Sequence, residues 1–197
     1  MNIGIDVDGT LIDIRRFMLE RGEKYFRRKA ADPDAFDVAQ MFACTQEECN
    51  RFWKKNLLGY CLRVPVINGA AETITRLRAD GHKIFIVTSR VYTTGEGMAG
   101  SLFRAMLKGW LKRRSIVYDG IAFCEDSGED KLKHCGRFGI DVMIDDKPEN
   151  IIMIAEKCAV IAHPMPWNRH LSSQGYTVAK DWADIYSIVT GMKTPPL

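Results

Sequence analysis

The chain alternates short apolar runs with segments of helical periodicity. Five apolar runs have the length and β-branched content of strands buried in a parallel sheet. They lie at residues 2–7, 83–88, 120–124, 140–144 and 159–162. Apolar residues at helical spacing separate or follow them, at residues 69–80, 101–114, 131–138, 148–157 and 182–189. This order predicts an α/β fold with a doubly wound, parallel five-stranded sheet and right-handed crossovers.

Residues 14–64 interrupt the alternation. They have no strand character and are rich in aromatic residues. Helices are predicted over residues 11–30 and 45–58, and Thr45 followed by Glu48 is typical of a capping box. We therefore expect a helical insertion at 14–64, with residues 1–13 and 65–197 forming one core.

The remaining segments are predicted to lack regular structure. Glycines at 95, 97 and 100 predict a loop, acidic residues predict a polar loop at 126–130, and prolines predict a rigid loop at 164–169. Residues 194–197 are predicted to form a tail.

Composition and charge exclude several classes of protein. With 197 residues, 46% apolar and 27% charged, the chain is typical of a soluble globular protein. No apolar run reaches the length of a membrane span, and because the first predicted strand begins at residue 2 we expect no N-terminal targeting segment. A net charge of +3 is too small to indicate nucleic acid as a partner. None of the six cysteines forms a C-x-x-C pair or has a histidine at zinc-site spacing, so we expect free thiols and a cytoplasmic protein.

Polar residues follow three of the predicted strands. Asp6 and Asp8 end the first, Thr88 and Ser89 end the second, and Asp145 and Asp146 end the fourth. The carboxyl ends of parallel strands share one edge of the sheet, where α/β proteins bind their ligands. A solvated Asp-Gly turn would explain Asp6 and Asp8 alone, but three polar strand ends favour a site.

The residue types predict phosphoryl transfer with Mg²⁺. Four converging carboxylates require a cation, and oxygen ligands favour Mg²⁺, which proteins commonly share with a substrate phosphate. Thr88 and Ser89 offer hydroxyl groups, Lys131 offers a positive charge, and Gly9 and Thr10 offer backbone N–H groups. Phosphoryl transfer needs such positioning and charge stabilisation.

Four segments resemble the motifs of the haloacid dehalogenase-like (HAD) phosphohydrolase superfamily. They are D-V-D-G-T at Asp6–Thr10, the strand ending in Thr88-Ser89, Lys131, and I-D-D at Ile144–Asp146. The resemblance implies a Rossmannoid core with a cap, which residues 14–64 would form.

The same resemblance implies roles for the site residues. Asp6 is the nucleophile that forms an aspartyl-phosphate. Asp8 is the acid/base and also gives its carbonyl oxygen to Mg²⁺. Thr88 and Lys131 hold the phosphate, with Lys133 as the alternative lysine. Asp146 is the first choice of metal ligand, and Asp145 is a partner that reaches the metal indirectly.

Within the superfamily the chain looks most like the small 5'-nucleotidase group, which includes the 5'(3')-deoxyribonucleotidases. The size, the short cap, the runs at Ile144–Asn150 and Pro166–Arg169, and the Thr88-Ser89 pair support this. Phe17 and Trp53 are candidates to stack on a base, and Arg90 is a third candidate for substrate specificity.

Three other functions remain open. The same core residues would suit a phosphatase of a sugar phosphate or another small metabolite. A phospho-aspartate signalling module also uses an acidic pair, a hydroxyl group and a lysine. The basic clusters at 27–29 and 112–114 would suit an enzyme acting on nucleic-acid ends. A small phosphomonoester is the partner we expect, the oligomeric state being open.

Overall fold

Apolar strands form the centre of the protein. A computed structural model describes residues 1–192, so the predicted tail at 194–197 lies outside the described residues. The strands are β1 (Asn2–Ile5), β2 (Lys83–Thr88), β3 (Gly120–Phe123), β4 (Val142–Asp145), β5 (Ala159–Ala162) and β6 (Thr177–Val178). They pair in parallel in the order β3-β2-β1-β4-β5-β6, which confirms the predicted α/β fold.

The prediction of five strands was wrong by one. The sixth strand, β6, has only two residues and pairs with β5 at the edge of the sheet. Thr177 is exposed and Val178 is half-buried, so this segment carries none of the apolar pattern that identified the other strands.

Helices cover the sheet and account for most of the remaining chain. They are α1 (Ile14–Phe26), α2 (Val38–Phe42), α3 (Gln46–Arg63), α4 (Ala70–Ala79), α5 (Gly97–Arg113), α6 (Gly128–Phe138), α7 (Pro148–Ile154), a 3-10 helix (Pro166–Gln174) and α8 (Trp182–Gly191). Within residues 1–192, none of these helices combines the length and the apolar character needed to cross a membrane.

Several predicted boundaries differ from the structure. Gly97 and Gly100 belong to α5 and not to a loop, and Gly100 lies so close to the Gly95 carbonyl that a side chain would collide with it. Residues 166–169 of the predicted rigid loop at 164–169 belong instead to the 3-10 helix. Helix α6 begins three residues before Lys131, because Ser127 accepts a hydrogen bond from the Asp130 N–H and caps it.

Helices α1, α2 and α3 enclose an aromatic cluster of their own. The Phe26 ring stacks on the rings of Phe42 and Phe52, at centroid distances of 5.0 and 5.9 Å. The predicted Thr45–Glu48 capping box starts α3, and the sequence pattern missed α2 altogether. Phe17 and Tyr60 instead join the main core, so the division at residues 14–64 into cap and core remains a prediction.

The strand register determines which side chains meet. Ile5 of β1 pairs with Ile86 of β2 on one side and with Ile144 of β4 on the other. Because β1 lies between β2 and β4, the residues that follow these strands come together at the carboxyl edge of the sheet.

Candidate active site

Three aspartates from β1 and β4 form the centre of the site. Carboxylate oxygens of Asp6, Asp145 and Asp146 lie within 4.8 Å of one another, and all three residues are buried. The Asp6 N–H donates to the Ile144 carbonyl at 3.0 Å, so the backbone pairing of β1 with β4 continues to the site and fixes its spacing. The structure therefore brings together three of the four predicted carboxylates as neighbours.

Lys131 connects two of these carboxylates. Its Nζ lies 2.9 Å from Asp6 Oδ1 and 2.7 Å from Asp145 Oδ2, and its side chain is 1% exposed. Both carboxylates raise the pKa of the ammonium against the effect of burial, so the lysine is charged. Lys133, two residues along the same helix, is exposed.

Asp145 and Asp146 have different environments. The Asp145 carboxylate accepts bonds from Lys131, from the Lys147 N–H at 2.9 Å and from Asn150 Nδ2 at 3.3 Å. Among residues 1–192, the Asp146 side chain accepts one bond, from the Trp167 indole Nε1 at 3.0 Å. Asp146 thus has more free lone pairs for a cation, which supports it over Asp145 as a direct ligand.

Gly9 makes room for Asp146. Its φ of +82° favours glycine, and a Cβ there would lie 2.1 Å from Asp146 Oδ2. The Gly9 N–H donates to the Ile12 carbonyl at 2.9 Å, so it is already engaged within the turn. The Thr10 side chain is fully buried, and the Thr10 backbone carbonyl accepts a bond from Trp182 Nε1 at 3.2 Å.

The crowded carboxylates fit a divalent cation. Burial raises the pKa of Asp6 to about 7, and the nearby charges of Asp145 and Asp8 act in the same direction, while Lys131 opposes them. Burial raises the pKa of Asp146 well above its usual range, and the charges of Asp145 and Asp6 act in the same direction. One lysine does not neutralise three buried carboxylates, and an all-oxygen donor set suits a hard cation such as Mg²⁺.

A cavity of about 240 Å³ opens above these groups. The predicted site residues on its wall are Asp6, Asp8, Trp53, Thr88, Ser89, Lys131 and Asp146. The Thr88 Oγ1 is buried and has no hydrogen-bond partner within residues 1–192. The Ser89 hydroxyl donates to the Glu125 carbonyl at 3.0 Å. A phosphate oxygen in the cavity would supply the missing partner of Thr88.

Asp8 lies on the wall of two cavities. A second space of about 640 Å³ shares Asp8, Ile14 and Trp53 with the first, and it extends between α3 and the segment after β2. Tyr92, 57% exposed, stands at its edge. A ligand group bound next to Asp8 could therefore extend into either of the two cavities.

Arg90 binds the side chain of Asp8, the acid/base candidate, and does not itself line either of the two cavities. Its Nη1 donates to Asp8 Oδ1 at 3.0 Å and its Nη2 to the Tyr60 carbonyl at 3.2 Å. The guanidinium carbon also lies 4.3 Å from the centre of the Tyr60 ring. Arg90 thus connects Asp8 to α3, a contact that the sequence did not reveal because Tyr60 is 30 residues away.

Trp53 and Phe17, the two candidates to stack on a base, have different environments. Trp53 faces both cavities, whereas Phe17 is 8% exposed and packs in the core against Trp53 and Tyr60. Sequence reasoning missed Phe36, which lines the smaller cavity and meets the Trp167 ring edge-on at 5.2 Å. Phe36 is 44% exposed, and the exposure of an aromatic side chain is the signal that identifies it as a candidate site residue.

We expect Arg90→Met to lower both stability and turnover. The change leaves the Asp8 carboxylate and the Tyr60 carbonyl without their donor, which costs about 2–3 kcal/mol of unfolding free energy for a bond to a charged group. Asp8 would also lose its fixed orientation, so kcat should fall by about 10-fold or more. Denaturant unfolding and phosphate release measure the two effects.

Arg78→Met is the matched control. Arg78 pairs with Asp119 at the surface, so its loss should cost at most about 1 kcal/mol and leave kcat unchanged. Equal effects of the two substitutions on kcat would contradict a positioning role for Arg90.

Comparison with known proteins agrees with this geometry. The family model described as 5' nucleotidase, deoxy (pyrimidine), cytosolic type C protein matches residues 1–194. A Bacillus cereus protein named "Putative nucleotidase" is 26% identical, and the alignment covers 96% of this chain and 98% of that protein. A protein of the same description from Oceanobacillus iheyensis is 23% identical, with 93% and 96% covered.

Solved structures share the fold. A predicted phosphatase from Clostridium acetobutylicum superposes with a TM-score of 0.68 at 13% identity, covering 97% of this chain and 98% of that one. A HAD family hydrolase from Deinococcus radiodurans, solved with phosphate and sodium, gives 0.63 at 18% identity, covering 99% and 98%. The fold is therefore that of HAD-superfamily hydrolases, and the family match shows that the chain is a phosphoric monoester hydrolase that belongs to the family described as 5' nucleotidase, deoxy (pyrimidine), cytosolic type C protein.

Proposed function

We propose that the protein is a Mg²⁺-dependent phosphomonoesterase that acts through an aspartyl-phosphate on nucleoside monophosphates. One observation carries the proposal. Asp6, Thr88, Lys131 and Asp146 come from four separate segments and line one small cavity. A nucleophile, a hydroxyl donor, an ammonium group and a metal-binding carboxylate then face the same phosphate.

The reaction proceeds in two steps on Asp6. A carboxylate oxygen of Asp6 attacks phosphorus, the bond from phosphorus to the ester oxygen breaks, and the leaving oxygen takes a proton from Asp8. Asp8 then removes a proton from water, whose oxygen attacks the aspartyl-phosphate and releases inorganic phosphate and Asp6. Lys131 and Thr88 hold the phosphoryl oxygens throughout.

The metal site is proposed on Asp6, Asp146 and the Asp8 carbonyl. Bound Mg²⁺ would supply charge neutralisation and orientation to the phosphoryl group. Asp145 supports this set indirectly, because its oxygens bind Lys131 and the backbone of Lys147.

A nucleoside is the leaving group that the cavity walls favour. Trp53, Phe36, Met18 and Val38 line the space above the aspartates. An aromatic side chain stacked on a base contributes about 1–3 kcal/mol. The family description also favours nucleotides over a sugar phosphate.

A Mg²⁺-dependent phosphate-release screen tests the proposal. We expect turnover of nucleoside 5'- or 3'-monophosphates above that of sugar phosphates and phosphorylated amino acids, with Asp6→Asn protein as the blank. Preference for a sugar phosphate would keep the mechanism and remove the nucleotide assignment. Phosphate uptake without steady turnover would instead indicate a signalling module, and strong salt dependence would indicate nucleic-acid ends.

Trp53→Leu tests the stacking residue. We expect KM for the preferred nucleotide to rise by about 5–150-fold, which corresponds to the 1–3 kcal/mol of one stacking contact. KM for a small sugar phosphate should stay within about 2-fold, since it has no base. Tyr186→Leu, an aromatic change on α8, is the control and should leave both values unchanged. Equal changes for both substrates would rule out base stacking on Trp53.

A further inference from the structure

Three potential metal ligands lie outside the candidate active site, where β3 meets α6. Ligand atoms of Cys124, Asp130 and His134 all lie within 4.8 Å of one another. Asp130 and His134 are four residues apart on α6 and therefore share one face of the helix. The His134 Nε2 lies 3.8 Å from Asp130 Oδ2. Cys124 follows the last residue of β3.

The backbone around these ligands is fixed. The Cys124 N–H donates to the Thr88 carbonyl at 2.8 Å, which holds this residue at the edge of the sheet. Asp130 Oδ2 accepts the Glu125 N–H at 2.9 Å, and the Asp130 N–H donates to Ser127 Oγ at 3.2 Å. The turn from β3 into α6 thus presents the thiol and the carboxylate toward one point without rearrangement.

The His134 ring has a nitrogen that the protein does not satisfy. Within residues 1–192, its Nδ1 is buried and has no hydrogen-bond partner. A buried polar atom without a hydrogen-bond partner costs free energy unless a ligand or a water molecule binds that atom. The side chains of Asp130 and His134 are 27% and 19% exposed, so an ion can enter from solvent.

The donor types select a different metal from the active site. A thiolate and an imidazole favour borderline-soft cations such as Zn²⁺, whereas the three aspartates favour Mg²⁺. Three protein ligands also leave a fourth tetrahedral position for water. Burial raises the pKa of the Cys124 thiol to about 12, so binding must displace its proton to solvent as the sulfur–metal bond forms.

We propose that Cys124, Asp130 and His134 form a binding site for Zn²⁺ or a similar borderline-soft divalent cation. The C-x5-D-x3-H spacing hides this site from a search for paired cysteines and histidines, because a carboxylate replaces one of the usual ligands. The site is separate from the Asp6, Asp145 and Asp146 cluster and does not depend on the proposed function.

Cobalt substitution tests this proposal. Reduced full-length protein is titrated with Co²⁺ in the presence of excess Mg²⁺, which competes with Co²⁺ for all-oxygen sites such as the aspartate cluster. We expect one equivalent to produce a thiolate-to-cobalt charge-transfer band together with the visible absorption of tetrahedral Co²⁺. Zn²⁺ should abolish both signals, since it binds such sites more tightly than Co²⁺.

Two substitutions identify the ligands. Cys124→Ser should remove the charge-transfer band, and His134→Ala should weaken Co²⁺ binding by more than the roughly 10–100-fold that loss of an outer-sphere partner costs. Cys158→Ser, a half-buried thiol outside the cluster, is the control and should keep the band. Circular dichroism checks folding, and if Cys124→Ser does not fold, His134→Ala decides. Absence of the band, its persistence in Cys124→Ser, or unchanged affinity in His134→Ala would overturn the proposal.

Discussion

We expect Asp6→Asn to reduce phosphate release by at least about 10⁴-fold, as removal of a nucleophile does in other covalent enzymes. The amide is not a nucleophile, so no aspartyl-phosphate forms. The substitution keeps the shape of the side chain and an oxygen that can accept the bond from Lys131 Nζ. Phosphate release under single-turnover and steady-state conditions, with the preferred substrate and Mg²⁺, measures the loss.

The same substitution should leave the fold intact. In metal-free protein, burial raises the pKa of Asp6 from its ordinary 3.8 to about 7. The folded state therefore binds this proton more tightly than the unfolded chain, and stability falls as the pH rises from about 4 to 7. Asp6→Asn removes this titration, so its unfolding free energy should vary less over that window than that of the wild type.

Asp13→Asn is the matched control for Asp6→Asn. Asp13 caps α1 by accepting the Arg16 N–H, and asparagine can make the same contact. Turnover should stay within about 2-fold of wild type, because Asn and Asp are nearly equivalent caps. Near-wild-type turnover by Asp6→Asn would remove the covalent mechanism, whatever the substrate.

Local patterns were sufficient to place the centre of the site. Asp6, Thr88 and Asp145 each end an apolar run, and parallel pairing sends the ends of such runs to one edge. In the structure, the register pairs Ile5 of β1 with Ile86 of β2 on one side and with Ile144 of β4 on the other. Strand periodicity and parallel pairing thus predict that these side chains share one edge of the sheet, whereas the position of β1 between β2 and β4 came from the structure.

Contacts between distant segments were beyond the sequence pattern. Arg90 was a candidate for substrate specificity, yet its guanidinium donates to Asp8 and to a carbonyl of α3. The Trp167 indole donates to Asp146, 21 residues away in the chain, and the Phe36 ring meets the Trp167 ring edge-on. Such side chains take their roles from tertiary packing, which no local periodicity encodes.

The choice between Lys131 and Lys133 depended on where a helix starts. The sequence predicted a helix start at residue 131, directly after an acidic loop, and favoured Lys131 for that reason, with Lys133 as the alternative. Ser127 instead caps α6, and the helix begins at Gly128. Two residues turn an α-helix by about 200°, so only one of these lysines can point to the sheet edge. The helical phase selects Lys131.

Lys131→Met should lower turnover strongly and destabilise the protein. The buried carboxylates of Asp6 and Asp145 lose their shared cation, and breaking a buried ion pair in this way costs about 3–5 kcal/mol of unfolding free energy. Loss of the ammonium charge that would face the phosphate should also lower kcat by about 10²–10³-fold, which is roughly the effect of removing one preorganised donor to a transition state. Denaturant unfolding and phosphate release measure both losses.

Lys133→Met separates this role from a general effect of charge on α6. Lys133 is exposed, so its replacement should change the unfolding free energy by at most about 0.5 kcal/mol and leave kcat unchanged. Mg²⁺ provides a second test, because a bound cation would neutralise the carboxylates that Lys131 leaves behind. The increase in melting temperature on adding Mg²⁺ should then be larger for Lys131→Met than for the wild type. An equal increase in both proteins would mean that Lys131 and the metal do not share the same carboxylates.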